Sequence, residues 1–225
     1  AGQRLFARLF KNAVEVPSET TDLLCQAARQ AKIHLVIGIN EREASYGRST
    51  LYNTILFIGD DGRLLGKHRK LMPTFHERTV WGLGDASGLR VYPTELGRLG
   101  GLVCWEHWMP LSRYTLYSQG EQDHAALWPA AYGLESVDGE MIQVASRHCA
   151  HEGRVFVLAA ASYLTRDNLP TDFELAEEAK QWPDVLLCGG SAIIAPDGRY
   201  LAGPSYEGEV ILYAEVNLEE TLEKK

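Results

Sequence analysis

The chain has 225 residues, 45% hydrophobic and 23% charged, with a formal net charge of -8. That length and composition suit one folded domain with a sizeable core, spanning 1-225, and exclude a disordered chain. The acidic balance argues against nucleic acid or an anionic membrane as partner, and no apolar run nears the roughly 18 residues of a membrane span. No signal peptide opens the chain, and four widely spaced cysteines (Cys25, Cys104, Cys149, Cys188) form no paired pattern, so a reducing, cytoplasmic location is expected.

Residues 1–11 form an amphipathic pattern without methionine or an N-cap. Ser18 to Lys32 opens with a capping residue and an acidic first turn, then carries apolar residues at helical spacing. His34 to Asn40 reads as a buried strand, Glu41 to Thr50 as a charged turn, and Leu51 to Gly59 as a second strand. Asp60-Asp61-Gly62-Arg63 carries a tight-hairpin signal, with Leu64 to His68 returning. Leu89 to Pro93 and Arg98 to Val103 make a second hairpin around Glu95 to Gly97.

Leu99, Leu102 and Val103 form a short apolar run holding Gly100 and Gly101, as a strand buried on both faces does. A helix follows, with Pro110 in its first turn and Leu111, Tyr114 and Leu116 on its inner face. Asp123 to Pro129 reads as a strand, Glu140 to Glu152 as a helix capped by Gly153, and Val155 to Ala161 as an apolar strand. Thr165 to Asp184 is an acidic excursion, helical over 173–180. Strands at 191–195 and 210–216 complete the pattern, and 218–225 is helix-like. Helices alternating with strands and hairpins predict a layered α/β fold with sheet packed on sheet.

Cys104 falls where a buried strand ends and a helix approaches, a corner at which a thiol is rigid yet reachable, as at the nucleophile elbow of serine hydrolases. A cysteine in that place is either a nucleophile or a structural core residue. Residues 66–82 are dense in charge and aromatics. They are either an exposed basic loop or a partly buried site, in which Met72, Phe75 and Trp81 seek burial and Lys70 takes Glu77 as its partner. The Cys/His pairs Cys104/His107 and Cys149/His151 lack structural-zinc spacing, so no metal is expected. A Cys-His dyad through His107, His124, His148 or His151 stays open, because spacing selects none of them.

Three segments in order carry a resemblance: 66–74 (GKHRKLMPT), 76–82 (HERTVWG) and 100–111 (GGLVCWEHWMPL). They resemble the nitrilase branch of the carbon-nitrogen hydrolase superfamily, and the similarity continues through 122–129, 147–153 and 189–198. The resemblance implies an α/β, four-layer α-β-β-α sandwich of the nitrilase type, truncated at both ends. It implies hydrolysis of a nitrile to a carboxylic acid and ammonia, with no cofactor. Cys104 matches the nucleophile, Lys70 the lysine, and Glu77 the second, supporting glutamate. Lys70 and Glu77 are expected to pair and to converge on the Cys104 sulfur.

The family's first glutamate has no match here, and Glu15, Glu41 and Glu43 lie in different family segments. The chain is therefore expected to be an internal piece with little activity of its own. Trp105 and Glu106 set it apart from amidase branches, and Glu106-His107 with Trp128-Pro129 looks most like arylacetonitrilases, with cyanide-converting enzymes close by. His107, Trp108, Trp128, Tyr132 and Tyr52 are candidates for an aromatic-accepting pocket, or else core packing. The family resemblance implies homodimers or spiral homo-oligomers. The alternative readings are a cyanide-converting enzyme or an amidase of the same superfamily, or a catalytically incompetent assembly scaffold, because the first catalytic glutamate has no match.

Overall fold

The computed structural model describes residues 2–46, 49–129 and 137–223. The chain divides into two compact units, 1–94 and 95–225.

In the first unit, α1 (Gly2–Asn12) and α2 (Glu19–Ala31) precede three strands, β1 (Leu35–Arg42), β2 (Leu51–Ile58) and β3 (Leu64–Arg69). Ser18 caps α2, accepting from the Thr21 amide, while Thr21 Oγ1 accepts from the Ser18 amide at 2.8 Å, so two otherwise orphaned N–H groups are satisfied. The strands form one antiparallel sheet in the order β1-β2-β3. The β2–β3 hairpin turns at Gly62, whose φ of 82° is left-handed backbone that glycine adopts without steric cost. Central β2 supplies the core through Leu51, Ile55, Leu56, Phe57 and Ile58, all buried. The short β4 (Tyr92–Thr94) ends this unit.

The second unit is built on β5 (Gly97–Val103), β6 (Asp123–Trp128), β7 (Phe156–Ala161), β10 (Ser191–Ile194) and β11 (Tyr200–Ser205). Their order is β11-β10-β7-β6-β5, with β5, β6 and β7 parallel and the other two joints antiparallel. The parallel joints are bridged by α3 (Pro110–Tyr117) and α4 (Val137–Gly153), the βαβ arrangement that parallel pairing requires. Ala126, Trp128, Val157 and Ile194 from the strands pack with Ala145 and Cys149 of α4 as a buried core. A two-stranded ribbon, β8 (Tyr163–Thr165) with β9 (Val185–Cys188), and short helices α5 (Ala176–Ala179) and α6 (Glu220–Glu223) complete the described residues. No helix among these residues is long and apolar enough to cross a membrane.

Several local expectations change. Glu41 does not belong to the charged turn: it is part of β1 and is 1% exposed, because β3 brings cations to it. On α3 the buried residues are Ser112, Arg113 and Leu116, whereas Leu111 and Tyr114 face out. Arg113 takes the inward place because Glu152 and the His107 carbonyl satisfy its guanidinium. Residues 210–216 form no strand; no other described strand pairs with them, and a strand needs a partner for its backbone groups. In the excursion after Thr165 the α-helix covers only Ala176–Ala179, after a 3₁₀ turn at Arg166–Asn168. Phe75 is exposed, held at a left-handed φ of 47°, and Met72 is also exposed.

Candidate active site

Each unit carries one half of the expected constellation. In the first, Lys70 follows β3 and its side chain is fully buried. Its Nζ donates to Glu77 Oε2 at 2.6 Å and to Thr74 Oγ1 at 3.2 Å. Glu77 sits on a 3₁₀ turn (Phe75–Thr79), and the same carboxylate oxygen accepts the Thr74 backbone N–H. A buried ammonium is costly unless paired and hydrogen-bonded, and here both conditions are met. The loop read as either exposed or buried is thus divided: Lys70 is inside, Phe75 outside. Trp81 is half-buried and its indole N–H donates to Asn40 Oδ1 at 2.9 Å.

A denser charge cluster lies beside β3. Glu41 accepts from Lys67, Arg69 and Thr54. Burial pushes its carboxyl up, but the hydrogen bonds from Arg69, Lys67 and Thr54 outweigh that and hold it below the usual carboxylate range. Arg69 also pairs with Glu43 at 3.0 Å and lies over the Tyr52 ring, 3.9 Å from its centroid. Tyr52 is thereby engaged with a cation. A cavity of about 260 Å³ opens here, lined by Glu43, Lys67, Arg69, Asp85 and Ser87.

In the second unit, Cys104 directly follows β5 with a φ of 55°. That left-handed conformation costs a non-glycine residue about 1–2 kcal/mol, so neighbours must hold it. Two do. Glu106, buried, accepts the Val103 N–H at 2.9 Å. His107, also buried, meets the Cys104 carbonyl with Nδ1 at 2.8 Å. The chain turns through Cys104–Trp108 as a 3₁₀ turn before Pro110 starts α3. The corner read from the sequence is therefore present, made by a strained cysteine clasped on both sides.

Trp105 is 52% exposed and Trp108 is half-buried, with ring centroids 6.4 Å apart. Trp128 is buried; its indole N–H donates to Ser146 Oγ at 3.0 Å and its ring stacks on His107 at 4.5 Å. Trp128 is thus a core residue supporting the elbow. Tyr132 lies outside the described residues. His107 continues to His124, Nε2 to Nε2 at 3.1 Å, and His124 Nδ1 meets Glu121 Oε1 at 2.9 Å. Spacing alone could not select this pair, because the parallel register setting Gly100 opposite His124 is tertiary. His148 is exposed and lies 4.0 Å from Glu152.

The second unit thus carries a cysteine at positive φ where a parallel strand gives way to a helix, and the first a buried lysine–glutamate pair. The model of the carbon-nitrogen hydrolase family matches residues 2–225, and the chain belongs to that family. It is 41% identical over 228 residues to the bifunctional nitrilase/nitrile hydratase NIT4A of Lupinus angustifolius, covering all of this chain and 62% of that protein. It is 42% identical over 220 residues to an aliphatic nitrilase of Sinorhizobium fredii, covering 97% of this chain and 67% of that protein. The chain thus spans roughly three-fifths to two-thirds of these relatives' length. A carbon-nitrogen hydrolase from Helicobacter pylori has the same fold, with a TM-score of 0.74 at 22% identity over 92% of this chain and 69% of that one.

Proposed function

We propose that the protein is a nitrilase, converting a nitrile and two waters into a carboxylic acid and ammonia. The observation that carries this reading is Cys104 itself, a non-glycine residue held at positive φ on a clasped strand end, in a chain about two-fifths identical to named nitrilases. A nitrile carbon is a weak electrophile, so a soft, ionised sulfur suits it better than a hydroxyl.

Cys104 Sγ bonds to the nitrile carbon and one C–N π pair moves onto nitrogen. Lys70 stabilises that developing charge and supplies a proton, giving a thioimidate. Glu77 holds the Lys70 ammonium in place through the 2.6 Å contact. Water adds to the thioimidate, ammonia leaves, and an acyl-thioester remains on Cys104. A second water cleaves the C–S bond and releases the acid. The base that activates these waters is the family's first glutamate, for which this chain has no match. Glu106 and the Trp105 backbone N–H support the elbow and the developing charge.

An arylacetonitrile as substrate and assembly into homo-oligomers rest on the resemblance alone. The test is ammonia release from phenylacetonitrile by the full-length protein. Turnover that vanishes in Cys104→Ala supports the reading. Hydrolysis of the corresponding amide with none of the nitrile would replace it with an amidase.

A further inference from the structure

We propose that Glu121, His124 and His107 form a buried positioning relay that fixes the Cys104 carbonyl and so aims the thiol. This rests on the reading of Cys104 as nucleophile. All three side chains are buried, with His124 at 0% and His107 at 1% exposure. They connect without a gap, from the Cys104 carbonyl through His107 and His124 to Glu121.

The chain of contacts has one polarity. A carbonyl oxygen can only accept, so His107 Nδ1 carries a proton and donates to Cys104. Either Nε2 could hold the proton between the two rings. On His124 its charge lies beside the Glu121 carboxylate; on His107 it would lie one ring farther away, in a fully buried place. Burial pushes His107 well below the ordinary imidazole value, and the His124 charge adds to this. For His124 burial acts the other way from its neighbours, and Cys149 with Glu121 outweigh it, so its pKa stands well above the ordinary value. The His124 Nε2–H therefore donates to His107 Nε2, and this donation selects the His107 tautomer that can hold the Cys104 carbonyl.

Space for the relay is built into β5. A Cβ at Gly100 would lie 2.1 Å from Glu121 Oε1, so glycine there admits the carboxylate. Trp128 stacks on the His107 ring and limits its rotation. His124 and Glu121 act through His107 and are positioning residues.

The proposal makes hydrogen-bond polarity, and not volume, the quantity that matters. His124→Phe fills the site but leaves His107 Nε2 without a donor. His107 then keeps a buried Nε2 without a partner, and nothing on that side fixes the ring against the Cys104 carbonyl. His124→Gln places an amide N–H where Nε2–H was. In the full-length protein, His124→Phe is expected to lower kcat on the nitrile by about 10²-fold, the cost typical of a misplaced reacting group, with KM unchanged. It should slow iodoacetamide alkylation of Cys104 in parallel, and His124→Gln should recover most of both rates.

Equal losses in the two variants would show a packing role and overturn the relay, as would an undiminished kcat in His124→Phe. If His124→Phe does not fold, His107→Leu against His107→Asn makes the same comparison, since asparagine retains a donor for the carbonyl. Cys104→Ala separates the two levels of the argument. Turnover surviving in Cys104→Ala overturns the nucleophile assignment. Turnover lost there but full in His124→Phe overturns the relay alone.

Discussion

Asp123→Asn should stabilise the protein, and more so the higher the pH. Asp123 opens β6, and burial followed by the nearby Glu121 charge raises its carboxyl to about 7 from 3.8. A raised carboxyl means that the folded state binds the proton more tightly than the unfolded chain does. Between the two values stability falls as pH rises, and the penalty is complete once pH passes about 7. At 1.36 kcal/mol per pKa unit the full penalty is about 4 kcal/mol, an upper figure for a group that retains some solvent contact. Asparagine stands in for the protonated form and carries none of it. The advantage of Asp123→Asn should therefore grow by at most about 3 kcal/mol between pH 5 and pH 8.5. With a urea m-value of about 3 kcal/mol/M, the midpoint shift should widen by up to about 1 M. Urea unfolding of both proteins at the two pH values checks this. A shift that is equal at both, or that shrinks with pH, would refute the assignment of Asp123 as a partly buried carboxyl forced to ionise.

Glu41→Ala should destabilise the protein by about 3 kcal/mol, read as a lower urea midpoint, because it strips Lys67 and Arg69 of their shared buried partner. Lys70→Met keeps much of the volume but removes the cation. It should cut nitrile turnover by about 10²–10⁴-fold, measured as ammonia released at saturating substrate, while Cys104 stays open to alkylation.

The parts of the site legible in the sequence were those whose reason is local. Cys104 stands at the end of an apolar run shortly before a helix-starting proline, a pattern that implies a corner; the structure shows that corner and adds the positive φ at Cys104. Lys70 and Glu77 are seven residues apart on one loop, close enough for the pairing to be anticipated, and they meet at 2.6 Å. The hairpin at Gly62 was readable because the turn chemistry is carried by the turn itself.

What stayed hidden depends on distant partners. Glu41 looked like part of a charged turn, since nothing nearby in sequence announces that Lys67 and Arg69 on β3 reach it. His107 and His124 are 17 residues apart and meet only through the β5–β6 pairing and the room made at Gly100. Apolar character points Leu111 and Tyr114 inward, yet both face out. The guanidinium of Arg113 goes inward instead, because Glu152 and a backbone carbonyl receive it. Residues 210–216 have strand-like composition, yet no described strand pairs with them, and composition alone does not make a strand.

Attack of Cys104 Sγ on the nitrile is tested most directly by trapping the intermediate. The full-length protein is mixed with phenylacetonitrile, quenched in acid during steady turnover, digested and read by mass spectrometry. A phenylacetyl-derived mass increase is expected on the peptide holding Cys104, absent in Cys104→Ala, with the peptides holding Cys25, Cys149 and Cys188 unmodified. An adduct on another residue, or ammonia release persisting in Cys104→Ala, would contradict it.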